Sequence, residues 1–283
     1  MAALESRVQD FDCNQWWADS NMTKTPLKMQ SRKLARPEMS HFHNPYAGVG
    51  SAWQLDETVD SFLDRLPPAT TDDTKVGPWI FICNPYIDRK SKRLAQNQGI
   101  KGCEDEAPEE EGADLVRFVE GGMERLHLVT EFHDKVNQAA MLAPMRMREK
   151  NKASLDASRD ILALAHAAHV RAGKWMLFCT AQTVNEVWEV VAKATASNEL
   201  GIAAKVATRS EIDPRPERLI CVYTADFHDK DDVQRVASKL KQLGLVEPRG
   251  KKPLYYKPGI GSGNAWGVKA SIYNTKDMLG NIS

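Results

Sequence analysis

Short apolar runs alternate with segments of helical periodicity from Lys174 onward, and this order constrains the fold more than any other feature of the chain. Apolar runs typical of strands occupy Lys174–Cys179, Ile202–Ala207, Arg218–Tyr223, Leu254–Tyr256 and Trp266–Tyr273. One helix is predicted after Thr183 and another after Asp229. The order strand, helix, strand, strand, helix, strand, strand is typical of an α+β domain with a mainly antiparallel sheet.

Local signals indicate where these two helices begin and end. Thr183–Glu186 has the spacing of a capping box, and the apolar residues that follow it recur at helical intervals. Asp229 can cap the second helix, and Gly244 lies where that helix should end.

The preceding part of the chain adds one strand and two helices. Trp79–Cys83 reads as a buried strand that Asn84 and Pro85 end. Helical periodicity predicts a helix from about Asp114 to Asn137, with a bend at Gly121 and Gly122, and another from about Ser154 to Val170. Gly173 then reads as a stop signal for the second of these helices.

The N-terminal segment reads differently from the rest. Residues 1–74 are predicted to be an irregular arm and residues 75–283 the α+β domain. Helical periodicity appears in the arm only from Thr58 to Leu66. The aromatic residues of the arm predict that parts of it pack on the domain or meet a protein partner: these are Trp16, Trp17, Tyr46 and Trp53.

Composition narrows the class of protein. The chain has 38 basic and 38 acidic residues, and this balance argues against coating nucleic acid or membrane by bulk charge. The five cysteines form no CxxC pair, and Cys83, Cys179 and Cys221 lie in apolar runs, which predicts buried thiols without disulfides. No apolar stretch is long enough for a membrane helix, and no secretory signal is evident. We therefore expect the protein in the cytosol or the nucleus.

Five stretches resemble one protein family in order and spacing. They are Pro78–Pro85, Gly173–Phe178, Leu200–Val206, Arg218–Thr224 and Trp266–Tyr273. The family is the one catalogued as domain of unknown function 1917, also called the basophilic leukaemia-expressed protein family. The run from Tyr256 to Gly263 looks shorter here than in that family.

A more distant resemblance is to the cap-binding translation initiation factor 4E, in Thr183–Val190 and in Lys205–Leu245. It implies a curved sheet backed by helices, and it puts Arg209 where a phosphate-holding arginine is expected. The cap-stacking loop of that factor is missing, because the connection Ser197–Gly201 is short and has no aromatic residue. The resemblance therefore implies the fold without the usual methylguanosine cage.

A basic cluster in the last third of the chain is the candidate ligand site. Its members include Lys205 and Arg215, and the residues predicted to bind ligand are Arg209, Arg218, Tyr256, Lys257, Trp266 and Lys269. Basic groups beside aromatic rings suit phosphate contacts and base stacking, with Trp266 as the stacking candidate. Alternatively, these charges lie solvated on loops, paired with acidic neighbours such as Glu211 and Glu217.

Three hypotheses about function follow. The first is a binding module for a phosphate-bearing ligand: a nucleotide, an RNA end or a short RNA. The second is an enzyme acting on a phosphorylated substrate, with His228 as its acid or base; the sequence does not decide whether the protein is an enzyme. The third is an interaction scaffold that binds a protein through the arm. No cofactor or metal is predicted, because His166 and His169 lie one helical turn apart without a third ligand nearby in sequence.

Overall fold

The computed structural model describes residues 41–90, 107–211, 217–246, 253–259 and 271–280. Within them one sheet contains the strands β1 (Trp79–Cys83), β2 (Gly173–Thr180), β3 (Ala203–Ala207), β4 (Glu217–Thr224), β5 (Tyr255–Pro258) and β6 (Tyr273–Asn274). The strand order is β1-β3-β4-β2-β5-β6, and each neighbouring pair is antiparallel. The predicted α+β class with an antiparallel sheet is confirmed.

Helices make up much of the remaining described chain. They are α1 (Val59–Arg65), α2 (Asp73–Val76), α3 (Leu115–Gln138), α4 (Ala143–Ala167), α5 (Val184–Ala196), α6 (Lys230–Gln242) and α7 (Thr275–Leu279). Among the residues that the structure describes, no helix has the length and hydropathy needed to cross a bilayer.

Helices α5 and α6 pack on one face of the sheet. Trp188 of α5 and Val233 of α6 are fully buried, and Trp175 of β2 donates its indole N–H to the Val233 carbonyl over 3.1 Å. A buried indole that finds an acceptor in this way combines a large apolar area with a satisfied donor. We call this side of the sheet the helix face.

Helices α3 and α4 form an antiparallel pair. Arg125 donates to Asp160 over 2.6 Å, and Phe118 and Ile161 are buried where the pair joins the core. A Cβ atom on Gly121 would lie only 2.7 Å from a methyl carbon of Leu164. Gly121 therefore permits a close approach of the two helices. The bend at Gly121 and Gly122 stays a prediction.

Residues 41–74 are built into the compact unit His41–Ser283, although the sequence predicted an irregular arm there. Helix α1 confirms the periodicity predicted from Thr58 to Leu66, and Tyr46 and Phe62 are buried. Side chains supply hydrogen bonds to the backbone of this irregular segment. The Gln54 amide, for example, donates to the Tyr46 and Val49 carbonyls. Trp16 and Trp17 lie outside the described residues, and the domain boundary at residue 74 stays a prediction.

Three predicted helix signals were wrong. Helix α4 begins at Ala143, with a proline in its first turn, rather than near Ser154. It ends at Ala167 and His169 takes a positive φ of 58°, so Gly173 is free to begin β2 instead of stopping the helix. Thr183 precedes α5 without a side-chain cap, because its hydroxyl bonds that of Thr180 over 3.1 Å.

Other predicted features are confirmed. Asp229 caps α6 by accepting from the Asp232 amide, and Gly244 follows the end of that helix with φ 75°. Cys83, Cys179 and Cys221 are buried and form no disulfide. Most of the strand predicted at Trp266–Tyr273 lies outside the described residues. Its last residue, Tyr273, is described and begins β6.

The outer edge of β1 is paired with the chain that precedes it. The Phe81 amide donates to the Ser51 carbonyl, and the Trp53 amide donates to the Phe81 carbonyl, each over 3.0 Å. Tyr46 stacks on the Phe81 ring with centroids 5.1 Å apart. The segment around Ala52 thus extends the sheet by an isolated parallel bridge.

Candidate functional site

The side of the sheet opposite the helix face carries several lysines and aromatic rings. Successive side chains of a strand point to opposite faces, so Lys174 and Met176 project away from the helices that cover Trp175. Directly paired residues of neighbouring strands share a face. The strand register therefore decides which side chains of β3, β4 and β5 join Lys174.

Lys174 of β2 lies between two partners on this face. Its register partner on β5 is Lys257, and its partner on β4 is Tyr223. The Lys174 ammonium lies 5.8 Å from the centroid of the Tyr223 ring. Like charges in directly opposed positions repel, whereas the face of an aromatic ring attracts a cation.

Lys205 of β3 joins the same face from the other side of β4. Its ammonium lies 3.9 Å from the centroid of the half-buried Trp79 ring and 5.9 Å from that of Tyr223. Lys205 and Lys174 are 2% and 5% exposed, which is rare for lysine. We call Trp79, Lys174, Lys205, Tyr223 and Lys257 together the lysine face.

Two exposed aromatic residues border the lysine face. Tyr255 of β5 is 46% exposed and pairs with Met176, and Phe178, two residues further along β2, is 54% exposed. Both therefore point to the same side as Lys174. Apolar rings this exposed on neighbouring strands can receive a planar ligand.

Tyr256, a predicted ligand residue, lies on the helix face instead. It pairs with Trp175, is fully buried, and its hydroxyl hydrogen-bonds that of Thr224 over 2.5 Å. Burial raises the pKa of Tyr256 well above its usual range. Tyr256 is a core residue with no ring face open to a ligand, and the adjacent Tyr255 takes the position that the sequence assigned to it.

The predicted basic residues fall in different places. Lys257 belongs to the lysine face, whereas Arg218 pairs with Cys179 and so lies on the Trp175 side of the sheet. Arg209 follows β3, is exposed, and forms an ion pair with Glu211 over 3.3 Å. The alternative of paired, solvated charge describes Arg209. Trp266 and Lys269 lie outside the described residues.

Sequence reasoning missed Lys174 and Phe178, and it placed Tyr255 beside the basic cluster without including it among the predicted ligand residues. A signal for Lys174 was present, since it is a charged residue at the start of the apolar run Lys174–Cys179, where a lysine is unusual. The two aromatic residues could be found only with the strand register, because exposure differs between adjacent residues of a strand.

Comparison with known proteins gives a family and a partial structural likeness. The model of the family described as basophilic leukemia-expressed protein Bles03 matches residues 4–261. Solved structures with a likeness include two complexes of Ascaris suum eIF4E-3. The complex with the m7G cap is 20% identical with a TM-score of 0.27, and the complex with the m2,2,7G cap is 18% identical with a TM-score of 0.26.

Each of these two likenesses covers 32% of this chain and 52% of the other chain. The match thus spans about half the length of the solved chains. TM-scores this low carry no ligand from those complexes to this protein.

Proposed function

This chain belongs to the basophilic leukemia-expressed protein Bles03 family, as its sequence stretches predicted, and we propose that it is a binding module for a phosphate-bearing ligand. The ligand class is a nucleotide, an RNA end or a short RNA, bound on the lysine face. The observation that carries the proposal is that Tyr255 and Phe178 are exposed on this side of the sheet, beside the half-buried Lys257.

A phosphate group fits the charge of Lys257. This side chain is half-buried next to the exposed Tyr255. Its register partner Lys174 is almost fully buried, so Lys257 is the lysine of this pair that a ligand can reach. A lysine ammonium can donate charge-assisted hydrogen bonds to phosphate oxygens.

A base or another planar group fits the two exposed rings. Tyr255 and Phe178 are diagonal neighbours on β5 and β2, at about 7–8 Å between Cα atoms, which is within the reach of aromatic side chains. Stacking of one base on an aromatic side chain contributes about 1–3 kcal/mol. The proposed ligand therefore has a planar portion over these rings and its phosphate toward Lys257.

The test is an isothermal titration of the full chain with GTP, an m7G cap analogue and an eight-nucleotide single-stranded RNA at two salt concentrations. The informative variants are Tyr255→Ala and Lys257→Gln. Matched controls are Tyr86→Ala, which removes a tyrosine of similar exposure, and Lys241→Gln, which removes an exposed lysine of α6.

We expect saturable binding of at least one of the three probes. Tyr255→Ala should weaken it by about 5- to 150-fold, from the stacking energy above. Lys257→Gln should weaken RNA binding and reduce its salt slope by about 0.7, the value for one phosphate contact of a single strand. Binding that both variants leave unchanged, or no binding by the unaltered protein, would contradict the proposal.

The two alternative functions rest on other parts of the chain. The enzyme hypothesis needs His228 among the basic residues, and in the structure His228 stacks on His166 beyond the end of β4. The scaffold hypothesis needs the tryptophans of the arm, of which Trp53 is buried and donates to the Glu57 carbonyl. Trp16 and Trp17 lie outside the described residues. Neither gains an observation from the described part of the chain.

A further inference from the structure

Two histidines and an aspartate meet at the corner between α4, β4 and α6. His166 lies in the last turn of α4, and Asp226 and His228 lie in the turn between β4 and α6. The ligand atoms of these three side chains all lie within 4.8 Å of one another. His166 Nε2 is 3.2 Å from Asp226 Oδ2, and the two imidazole rings stack with centroids 4.6 Å apart.

The backbone around these residues is held in place by specific bonds. Asp226 Oδ1 accepts from the His228 amide over 2.8 Å, which fixes the carboxylate relative to the turn. The Phe227 amide donates to the Arg171 carbonyl over 2.8 Å, and the Phe227 side chain is fully buried. The turn is therefore anchored to the chain that follows α4, and this anchoring holds Asp226 close to His166.

We propose that His166, Asp226 and His228 bind a divalent transition-metal ion, with zinc as the best fit. Imidazole nitrogen with a carboxylate oxygen is a donor set that suits zinc, copper and nickel. Metal–ligand distances of about 2.0–2.2 Å in a tetrahedral site put neighbouring ligand atoms about 3.3 Å apart. The His166–Asp226 distance of 3.2 Å already matches that spacing.

One ring has to turn for the third bond to form. The two imidazole planes are inclined by only 24°, so their nitrogen lone pairs do not converge on a common point as the rings stand. His228 is exposed, whereas His166 is half-buried and tied to Asp226. Rotation of the His228 ring completes three protein ligands and leaves a fourth position for water, as in zinc sites that keep an open coordination position.

Arg171 is the charge that competes with a cation here. Its guanidinium lies 3.6 Å from Asp226 Oδ2, but its shorter bonds, of 2.6 and 3.1 Å, go to the Glu110 carboxylate. Glu110 also accepts from His169 Nδ1 at 2.7 Å and faces Arg89 at 3.7 Å. Because Glu110 holds Arg171, Asp226 keeps an oxygen available to a metal ion beside His166.

The experiment is a calorimetric titration of the tag-free full chain with Zn²⁺ and Ni²⁺, together with the visible absorption of Co²⁺. The variants are His228→Gln, at an exposed position that should not disturb folding, and His166→Gln. The control is His127→Gln, which removes a histidine whose side chain is 82% exposed on α3. Far-UV circular dichroism checks that each variant is folded.

We expect one Zn²⁺ per chain and a Co²⁺ spectrum of tetrahedral intensity. Even the loss of a residue that only supports a metal ligand weakens metal affinity about 10- to 100-fold, so His228→Gln should weaken it at least about tenfold. His127→Gln should leave it unchanged. Equal affinity and stoichiometry in His228→Gln and the unaltered chain would overturn the proposal, and so would the absence of binding by the unaltered chain.

Discussion

Lys174 and Lys257 stand directly opposite each other on neighbouring antiparallel strands, so two like charges share adjacent positions on one face of the sheet. Like charges directly opposite each other lower the stability of a sheet. The pairing can therefore be tested through stability as well as binding.

Replacing Lys257 should stabilise the protein in the absence of ligand. Lys257→Gln removes the repulsion with Lys174, and we expect the free energy of unfolding in urea to rise by about 0.2–1 kcal/mol at low salt. The gain should shrink at 1 M salt, where the Debye length is about 3 Å. Lys241→Gln on α6 is the control, and a loss of stability in Lys257→Gln would contradict the assignment.

Gly201 should not tolerate a side chain. A Cβ atom there would lie 1.8 Å from the Tyr223 carbonyl oxygen, which accepts the Ile202 amide at 2.8 Å. Since the atoms that the added carbon would meet belong to the backbone, Gly201→Ala should lower the free energy of unfolding by about 3 kcal/mol or more. Gly50→Ala is the matched control, because no atom lies within 4 Å of its added carbon. Similar unfolding midpoints for the two variants would refute this packing.

The buried hydroxyl pair of Tyr256 and Thr224 should be energetically coupled. Tyr256→Phe leaves the Thr224 hydroxyl buried without this partner, and we expect a loss of about 1–3 kcal/mol. Thr224→Val should also destabilise. The double variant should lose less than the sum of the two single variants, as measured by a double-mutant cycle of urea unfolding. Additive losses would show that the hydrogen bond contributes nothing.

Glu110 should make stability depend on acid pH. Burial alone would raise the pKa of Glu110, but hydrogen bonds from Arg171 and His169 and the nearby arginine charges hold it below its ordinary value of 4.5. A carboxyl with a lowered pKa stabilises the fold fully above the unfolded pKa, and this contribution disappears as pH falls through the folded pKa.

The measurement is urea unfolding of the unaltered protein and Glu110→Gln between pH 7 and pH 3. We expect the unaltered protein to be the more stable at pH 7, with a difference that stays constant down to about pH 4.5 and then narrows. Glu124→Gln, at an exposed position of α3, should show no such narrowing. A stability difference between the unaltered protein and Glu110→Gln that stays constant down to pH 3 would contradict this prediction.

The buried thiols should resist alkylation in the native state. Burial raises the pKa of Cys83 to about 12 and that of Cys179 to about 11, and only the thiolate reacts. Iodoacetamide at pH 8 should label both far more slowly in buffer than in urea, as followed by peptide mass mapping. Equally fast labelling of Cys83 in both conditions would mean that β1 is not buried as described.

The strands were predictable because their apolar runs are short and bounded by clear breaks. Strands β3 and β4, which were predicted as antiparallel neighbours, are an example. The cap at Asp229 was also predicted correctly from a local signal. The start of α4 was not predictable, because the residues after Ala143 are polar and form no apolar stripe that would mark a helix. Thr183 has the right neighbours for a capping box, but its backbone angles of −104° and −12° are already helical.

The candidate sites depended on contacts that no local pattern contains. The choice between Tyr255 and Tyr256 is a choice of register, and a shift of one residue exchanges the two faces of a strand. His166 and Asp226 are 60 positions apart in sequence, so their meeting depends on how α4 docks beside the end of β4. Lys257 could be predicted from the sequence, because this lysine and the aromatic residues next to it in sequence lie on one strand.

The pairing of Phe81 with Ser51 and Trp53 has a consequence for how copies of this protein behave at high concentration. An open edge strand offers its amides and carbonyls as a template for a strand from another molecule. The Phe81 amide and carbonyl of β1 are already bonded within the chain, and at the opposite edge β6 is only two residues long. Within the described residues, the sheet thus presents little backbone for intermolecular strand addition, which should protect the folded protein from fibrillar aggregation.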